Sequence, residues 1–397
     1  MQKYFSLLFL LCFINAGLMA QSGYKMKANE DQVDADFLLG YYQQDGNNGA
    51  VTGGIGTEKL EDVASMLVVN IPLDSVKALN ITVGADYYSS ASTDNIDNNV
   101  SSASSSDLRA YANLGYTRKN LRRGETIGFG IGFSSEYDYT SFSARASFAK
   151  EWNEGNSELS LAGQAFFDNW VVILPIELRQ SARGTLATSS RNSFNAQAAF
   201  AQVISPRLQV LFSGEAIYMQ GLLSTPFHRV FFSDQNQADI ERLPDTRLKI
   251  PLAVRLTYFP FDQLVLRTNY RYYWDDFGIT AHTFEVETPI KISPTLTLSP
   301  FYRYHTQTAA DYFAPYAEHL SSDAFYTSDY DLSALQSHKV GLGIGITPLY
   351  GIARLKLPTK DRLFILDKLQ FRTAYYTRST GLDALSFSLN LGMKIKR

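Results

Sequence analysis

Five histidines, at positions 228, 282, 305, 319 and 338, are the first residues to weigh, because imidazole is the commonest metal ligand and a frequent general base. None stands at an HExxH-type spacing. His282 lies three residues before Glu285, but on an alternating strand that offset puts the two on opposite faces. The single cysteine, Cys12, falls within the N-terminal segment, so the chain beyond it has no thiol nucleophile and no disulfide. DDFG (275–278) contains a tripeptide used by kinases but none of their other elements, and it reads as a hairpin turn. GGIG (53–56) and GFGIGF (128–133) lack the strand–turn–helix setting of a nucleotide cradle, and no GxSxG elbow occurs. The expectation is therefore no catalytic residue, no metal site and no cofactor. An enzyme whose site is assembled from distant strands is the least favoured reading.

What the sequence does arrange regularly is charge. In residues 248–305, Lys249, Arg255, Arg267, Arg271, Glu285, Glu287, Lys291, Arg303 and His305 recur on one face of alternating strands. Folding these strands about the turns PFDQ, DDFG and SPT puts Arg255 near Arg267 and Arg267 near Glu287. It puts Arg271 near Thr283, diagonal to Glu285, and Glu285 near Arg303. Two rows result, Arg255–Arg267–Glu287 and Arg271–Glu285–Arg303, each with one positive charge in excess. Arg109, Arg145, Arg372 and Arg378 occupy the same face elsewhere. Rings of arginine and lysine select anions, so the expectation is a cationic passage; the competing reading is a structural network beside an ordered loop. A second set lies between strands. STPFHRVFF and DIERLPDTR bring His228, Arg229, Arg242 and Arg247, and QTAADYFAPYAEH brings Tyr312, Phe313 and Tyr316. These loops, with NWVVILPIELR (169–179), are too apolar to stand free in water and are candidates for filling the lumen or binding a partner.

The elements that position these residues are strands. Period-2 alternation recurs along the chain in sixteen runs, ending with LSFSLNLGMKIK (385–396), while helical periodicity is scarce. The connections alternate between compact turns, such as NEGNS and SPR, and long segments such as 44–62, 90–107, 219–246 and 307–337. Segment 349–366 is one oversized turn that breaks the parity. The Ser/Asn/Asp-rich segment within 90–107 could offer oxygen ligands to calcium, but without EF-hand spacing it reads as a solvated loop. Residues 1–20 combine Lys3, an apolar run and a small-residue exit at Ala20, the pattern of a secretory signal peptide. The predicted fold is all-β: a single closed antiparallel transmembrane barrel of about sixteen strands over 21–397, with short periplasmic turns, long extracellular loops and periplasmic termini. Net charge of −3 gives no reason to expect nucleic acid. Outer-membrane lipid and the barrel-assembly machinery are the expected partners, although the chain ends in Lys396–Arg397 rather than an aromatic residue.

STPFHRVFF, RLPDTRLKIP, YRYYWDDFGITAHTFEVETPIKI and SPFYRYHTQTAADYFAPY, together with DQVDADFLLGYYQQD and VSSASSSDLRA, resemble a domain-of-unknown-function family of predicted outer-membrane barrels of Gram-negative bacteria. The resemblance covers nearly the whole mature chain. It implies fold and an outer-membrane location, and leaves the biochemistry unassigned. Members are often associated with periplasmic redox proteins and flavin attachment, which implies a possible role beside an extracytoplasmic redox system. No CxxCH or flavin motif is present here. The leading expectation is a pore or transport channel for small polar, anionic solutes. The alternative is a plugged barrel serving as scaffold for a periplasmic redox or surface partner.

Overall fold

The computed structural model describes residues 32–89, 106–178, 187–358 and 362–396. The signal-peptide expectation for 1–20, and most of the Ser/Asn/Asp-rich segment, fall outside these residues.

Alternating sequence becomes wall. Sixteen strands form it: β1 (Gln32–Asp45), β2 (Leu60–Pro72), β3 (Lys77–Ser89), β4 (Ser106–Asn120), β5 (Glu125–Ser135), β6 (Tyr139–Trp152), β7 (Ser157–Val172) and β8 (Ala187–Ser205). The second half comprises β9 (Leu208–Gly221), β10 (Thr246–Phe261), β11 (Leu264–Asp275), β12 (Thr280–Glu287, resuming at Ile290–Lys291), β13 (Leu296–Gln307), β14 (Leu335–Ile346), β15 (Leu363–Arg378) and β16 (Leu382–Lys396). Each pairs antiparallel with its chain neighbours, and β16 returns to β1 along Gln32↔Lys396 to Asp45↔Asp383, closing the barrel. Closure leaves no wall edge without a partner, the condition for crossing hydrocarbon. The break in β12 lies at Pro289, which has no N–H to give the ladder.

The two faces differ as the alternation requires. On β5, Phe129, Ile131 and Phe133 point outward at 62%, 54% and 56% exposure, while Gly128, Gly130 and Gly132 face inward. Leu385 and Phe387 of β16 are likewise outward and exposed, and Ser386, Ser388 and Asn390 line the interior. An apolar belt encircling the wall is unfavourable in water and matches the lipid-facing band of a membrane barrel. Tyr87, Trp274 and Tyr116 sit in outward register toward the strand ends, where an amphipathic ring meets the membrane–water interface. Among the described residues no helix is long and apolar enough to cross a membrane; the strands do so.

Connections at one end are short. Asp74 closes the β2–β3 turn by accepting from the amides of Val76 and Lys77 at 2.9 and 2.8 Å. The oversized turn 347–362 carries its own short strand, Ala353–Lys356, paired to the start of β15. At the other end long connections alternate with tight ones, including 276–279, so DDFG is a hairpin turn, with Gly278 at φ 89°.

Candidate functional site

Interior positions of β10–β15 carry a basic sector. Its register follows from hairpin geometry: Arg267 pairs with Glu287, Arg271 with Thr283, and Glu285 with Arg303. Glu285 accepts from Arg303 Nε at 2.6 Å, and Glu287 accepts from Arg267 at 3.4 Å. The expected Arg255–Arg267 pairing is incorrect. Arg255 faces Asn269, and Arg267 faces Thr257. The hairpin closes on Asp262–Gln263, with Phe261 opposite Leu264, further along the chain than assumed; a bulge between Tyr258 and Phe261 takes back one residue, and the net offset is two. Arg255 remains within electrostatic reach of Glu285, Arg267 and Glu287. Arg271 lies within electrostatic reach of Glu215 on β9, two strands away. His305 is held by Thr283 Oγ1 at 2.8 Å and Gln307 at 3.2 Å, as a structural link within the wall.

Arg372 completes the sector from further away. Its guanidinium donates to Glu287 Oε1 at 2.7 Å across two intervening strands. The reach is possible because Gly341 and Gly343 of β14 carry no side chain, and the Phe301 ring lies in the space beside Gly341. Arg372 rests 4.6 Å above that ring. A Cβ at residue 341 would sit 2.3 Å from Phe301 and 2.5 Å from the Thr373 carbonyl. We therefore expect Gly341→Ala to cost about 1–3 kcal/mol by overpacking and to release Arg372 from Glu287. Thermal unfolding of the detergent-solubilised barrel checks this; an unchanged midpoint would contradict it. Among the described residues, Arg267 and Arg372 keep 37% and 44% of their side chains accessible.

A neighbouring sector is acidic. Asp34 and Asp36 of β1, Asp62 of β2 and Asp86 of β3 occupy interior register positions, with Lys368 on Asp36 at 2.8 Å. The lumen is thus divided by charge, basic over β10–β15 and acidic over β1–β3.

The long-loop end has a folded layer over the wall. Ile217 and Met219, inward on β9, pack with Leu223 and Leu243 of loop 222–245, Phe277 and Ile279, and Ala310 and Leu332 of loop 308–334. Tyr312 meets Phe277 edge-on at 5.3 Å, Phe313 meets Tyr330 at 5.2 Å, and Tyr316 lies 4.8 Å from Phe231, itself 40% exposed. Phe227, Val51 and Ile173 form a second apolar contact, which covers the apolar stretch around residue 173. Arg229 clamps the carboxylate of Glu177 and donates to the Val51 carbonyl at 2.7 Å. Arg242 links to Tyr326 through paired backbone hydrogen bonds of 3.0 and 2.7 Å. Arg247 belongs to the first residues of β10, not to the loop, and ion-pairs with the fully buried Asp275. His228 lies between Glu241 and Asp329.

Sequence reasoning paired few of these. Asp275 was legible only as the first residue of a turn, and Glu241 and Asp329 gave no signal, since their neighbours in space come from loops far apart in the chain. Lys339, interior on β14 opposite Arg303, could have been found by extending the same register one strand further.

A closed wall with a lipid-facing exterior and a charge-divided interior defines a transmembrane β-barrel with a polar lumen. The chain belongs to the family described as "Protein of unknown function (DUF3570)", matched over residues 8–381. Among curated proteins none matches it. Solved structures similar to it include the ferric enterobactin receptor PfeA of Pseudomonas aeruginosa, at 11% identity and a TM-score of 0.44, over 86% of this chain and 53% of that one. CdiB from Acinetobacter baumannii is similar at 10% identity and 0.44, over 90% and 60%, and the outer membrane protein opdK of P. aeruginosa at 8% and 0.40, over 91% and 99%. The chain spans about half the length of PfeA. Shared architecture at this identity does not carry ligand or activity.

Proposed function

We propose that this protein is an outer-membrane pore for small polar solutes, with preference for those bearing a carboxylate or another anionic group. The observation that carries the reading is the basic sector. Among the described residues, Arg255, Arg267, Arg271, Arg303, Lys339 and Arg372 share one wall, with Glu285 and Glu287 among them, and two of the arginines stand accessible to the lumen. Fixed cations along a passage raise the local concentration of anions and lower their barrier. The long loops then face the exterior and the termini the periplasm, following the asymmetry of known barrels, and residues 1–20 provide export. The test is swelling of proteoliposomes in iso-osmotic solutes matched in size and opposite in charge. Faster entry of the carboxylate solute supports the reading; equal rates, or no swelling, would sink it.

A second reading rests on the loop layer. The apolar packing of loops 222–245 and 308–334 on the inner wall, with Tyr316 exposed, favours a scaffold that presents a surface to a protein at the cell exterior. Under it, swelling is absent and cross-linking through the loop layer captures a partner.

A further inference from the structure

The loop layer contains a group of side chains that neither reading uses. We propose that His228, Glu241 and Asp329 bind one divalent transition-metal cation of the zinc class, held between loops 222–245 and 308–334. The three ligand atoms converge: all lie within 4.8 Å of one another. His228 Nδ1 is 3.7 Å from Glu241 Oε1 and 3.9 Å from Asp329 Oδ2. These separations are too long for hydrogen bonds, and Nδ1 is buried with no hydrogen-bond partner. Ligand atoms around a tetrahedral zinc, with bonds of roughly 2.0–2.2 Å, stand about 3.4 Å apart, so the two His228 separations need to close by only a few tenths of an ångström.

The carboxylates are oriented for this. Glu241 accepts from the Thr225 amide through Oε2 and from Thr327 Oγ1 through Oε1, both at 2.6 Å. Asp329 accepts from the Asp331 amide at 2.9 Å through Oδ1, turning Oδ2 toward the imidazole. The Glu241 amide bonds the His228 carbonyl at 2.9 Å, which fixes the two residues side by side. Such outer hydrogen bonds hold ligands in place at metal sites. Both carboxylates are buried, 2% and 5% exposed, and need compensating charge. A protonated His228 between two carboxylates would draw at least one to about 2.8 Å; the wider spacing fits an ion between the three. One nitrogen with two carboxylates suits zinc or manganese better than calcium or magnesium.

The experiment uses the full chain, purified in detergent, stripped with EDTA and titrated calorimetrically with zinc chloride. One zinc per chain is expected. His228→Ala and the near-isosteric Asp329→Asn should each weaken binding about 100-fold, with barrel folding verified by heat-modifiable gel mobility. Asp138→Asn, in the separate acidic trio with Asp107 and Glu136, should leave it unchanged. Zinc should also slow proteolysis within both loops of the stripped wild type. Absence of saturable zinc binding, binding indifferent to His228→Ala and Asp329→Asn in folded protein, or loss in Asp138→Asn would each overturn the proposal.

Discussion

Replacing Arg255, Arg267 and Arg372 together by glutamine is expected to abolish the anion preference of the pore. These three stand on interior positions of β10, β11 and β15, and two of them share the carboxylate of Glu287. At about 5 Å in water a unit charge changes the energy of a monovalent ion by roughly 0.8 kcal/mol, or about fourfold in occupancy. Screening reduces this at physiological salt, so the three together should lower the anion-to-cation permeability ratio roughly tenfold. Glu287, left without its partners, should turn the sector toward cations. The conservative Arg372→Lys keeps the charge but cannot reproduce the stacking on Phe301, and should leave selectivity nearly intact. A triple variant with unchanged selectivity would show that solutes do not pass along this wall.

The second large effect concerns Asp275, which is fully buried at the joint of wall and loop layer. One oxygen accepts from Arg247 and from the Tyr273 hydroxyl at 2.7 Å; the other accepts from the Phe277 and Ile279 amides at 3.1 and 3.0 Å. Arg247, also buried, lies 4.3 Å over the Phe277 ring. Asp275→Ala removes the counter-charge and leaves a desolvated guanidinium, so it should cost about 3–5 kcal/mol. Asp275→Asn keeps acceptors for the turn amides and should cost less. Urea unfolding of the refolded barrel in detergent measures both. A loss below about 1 kcal/mol for the alanine variant would mean that the pair does not hold the loop layer to the wall.

The wall was readable because its physics is local. Alternation assigns each side chain to lipid or lumen, and tight turns transmit register across a hairpin, as for Arg267–Glu287 and Glu285–Arg303. The same logic failed at Arg255, where the hairpin turns on Asp262–Gln263, further along the chain than it assumed, and a bulge takes back only one residue of the offset. Arg372–Glu287 was unreadable for another reason: it crosses two strands through space that glycines leave empty. The loop layer lies further from what sequence can show. His228, Glu241 and Asp329 come together through loop packing, with no periodicity to fix their distance. The apolar character of those loops indicated that they are packed, but not onto which part of the wall.

The charge-divided lumen is the center of this account: a basic sector over β10–β15 beside an acidic one over β1–β3. Its most direct test is the reversal potential of the purified wild-type protein in a planar bilayer under a potassium chloride gradient. The account predicts stepwise conductance whose reversal potential lies on the chloride side of zero. A reversal potential on the potassium side, or a barrel that inserts without conducting, would contradict it.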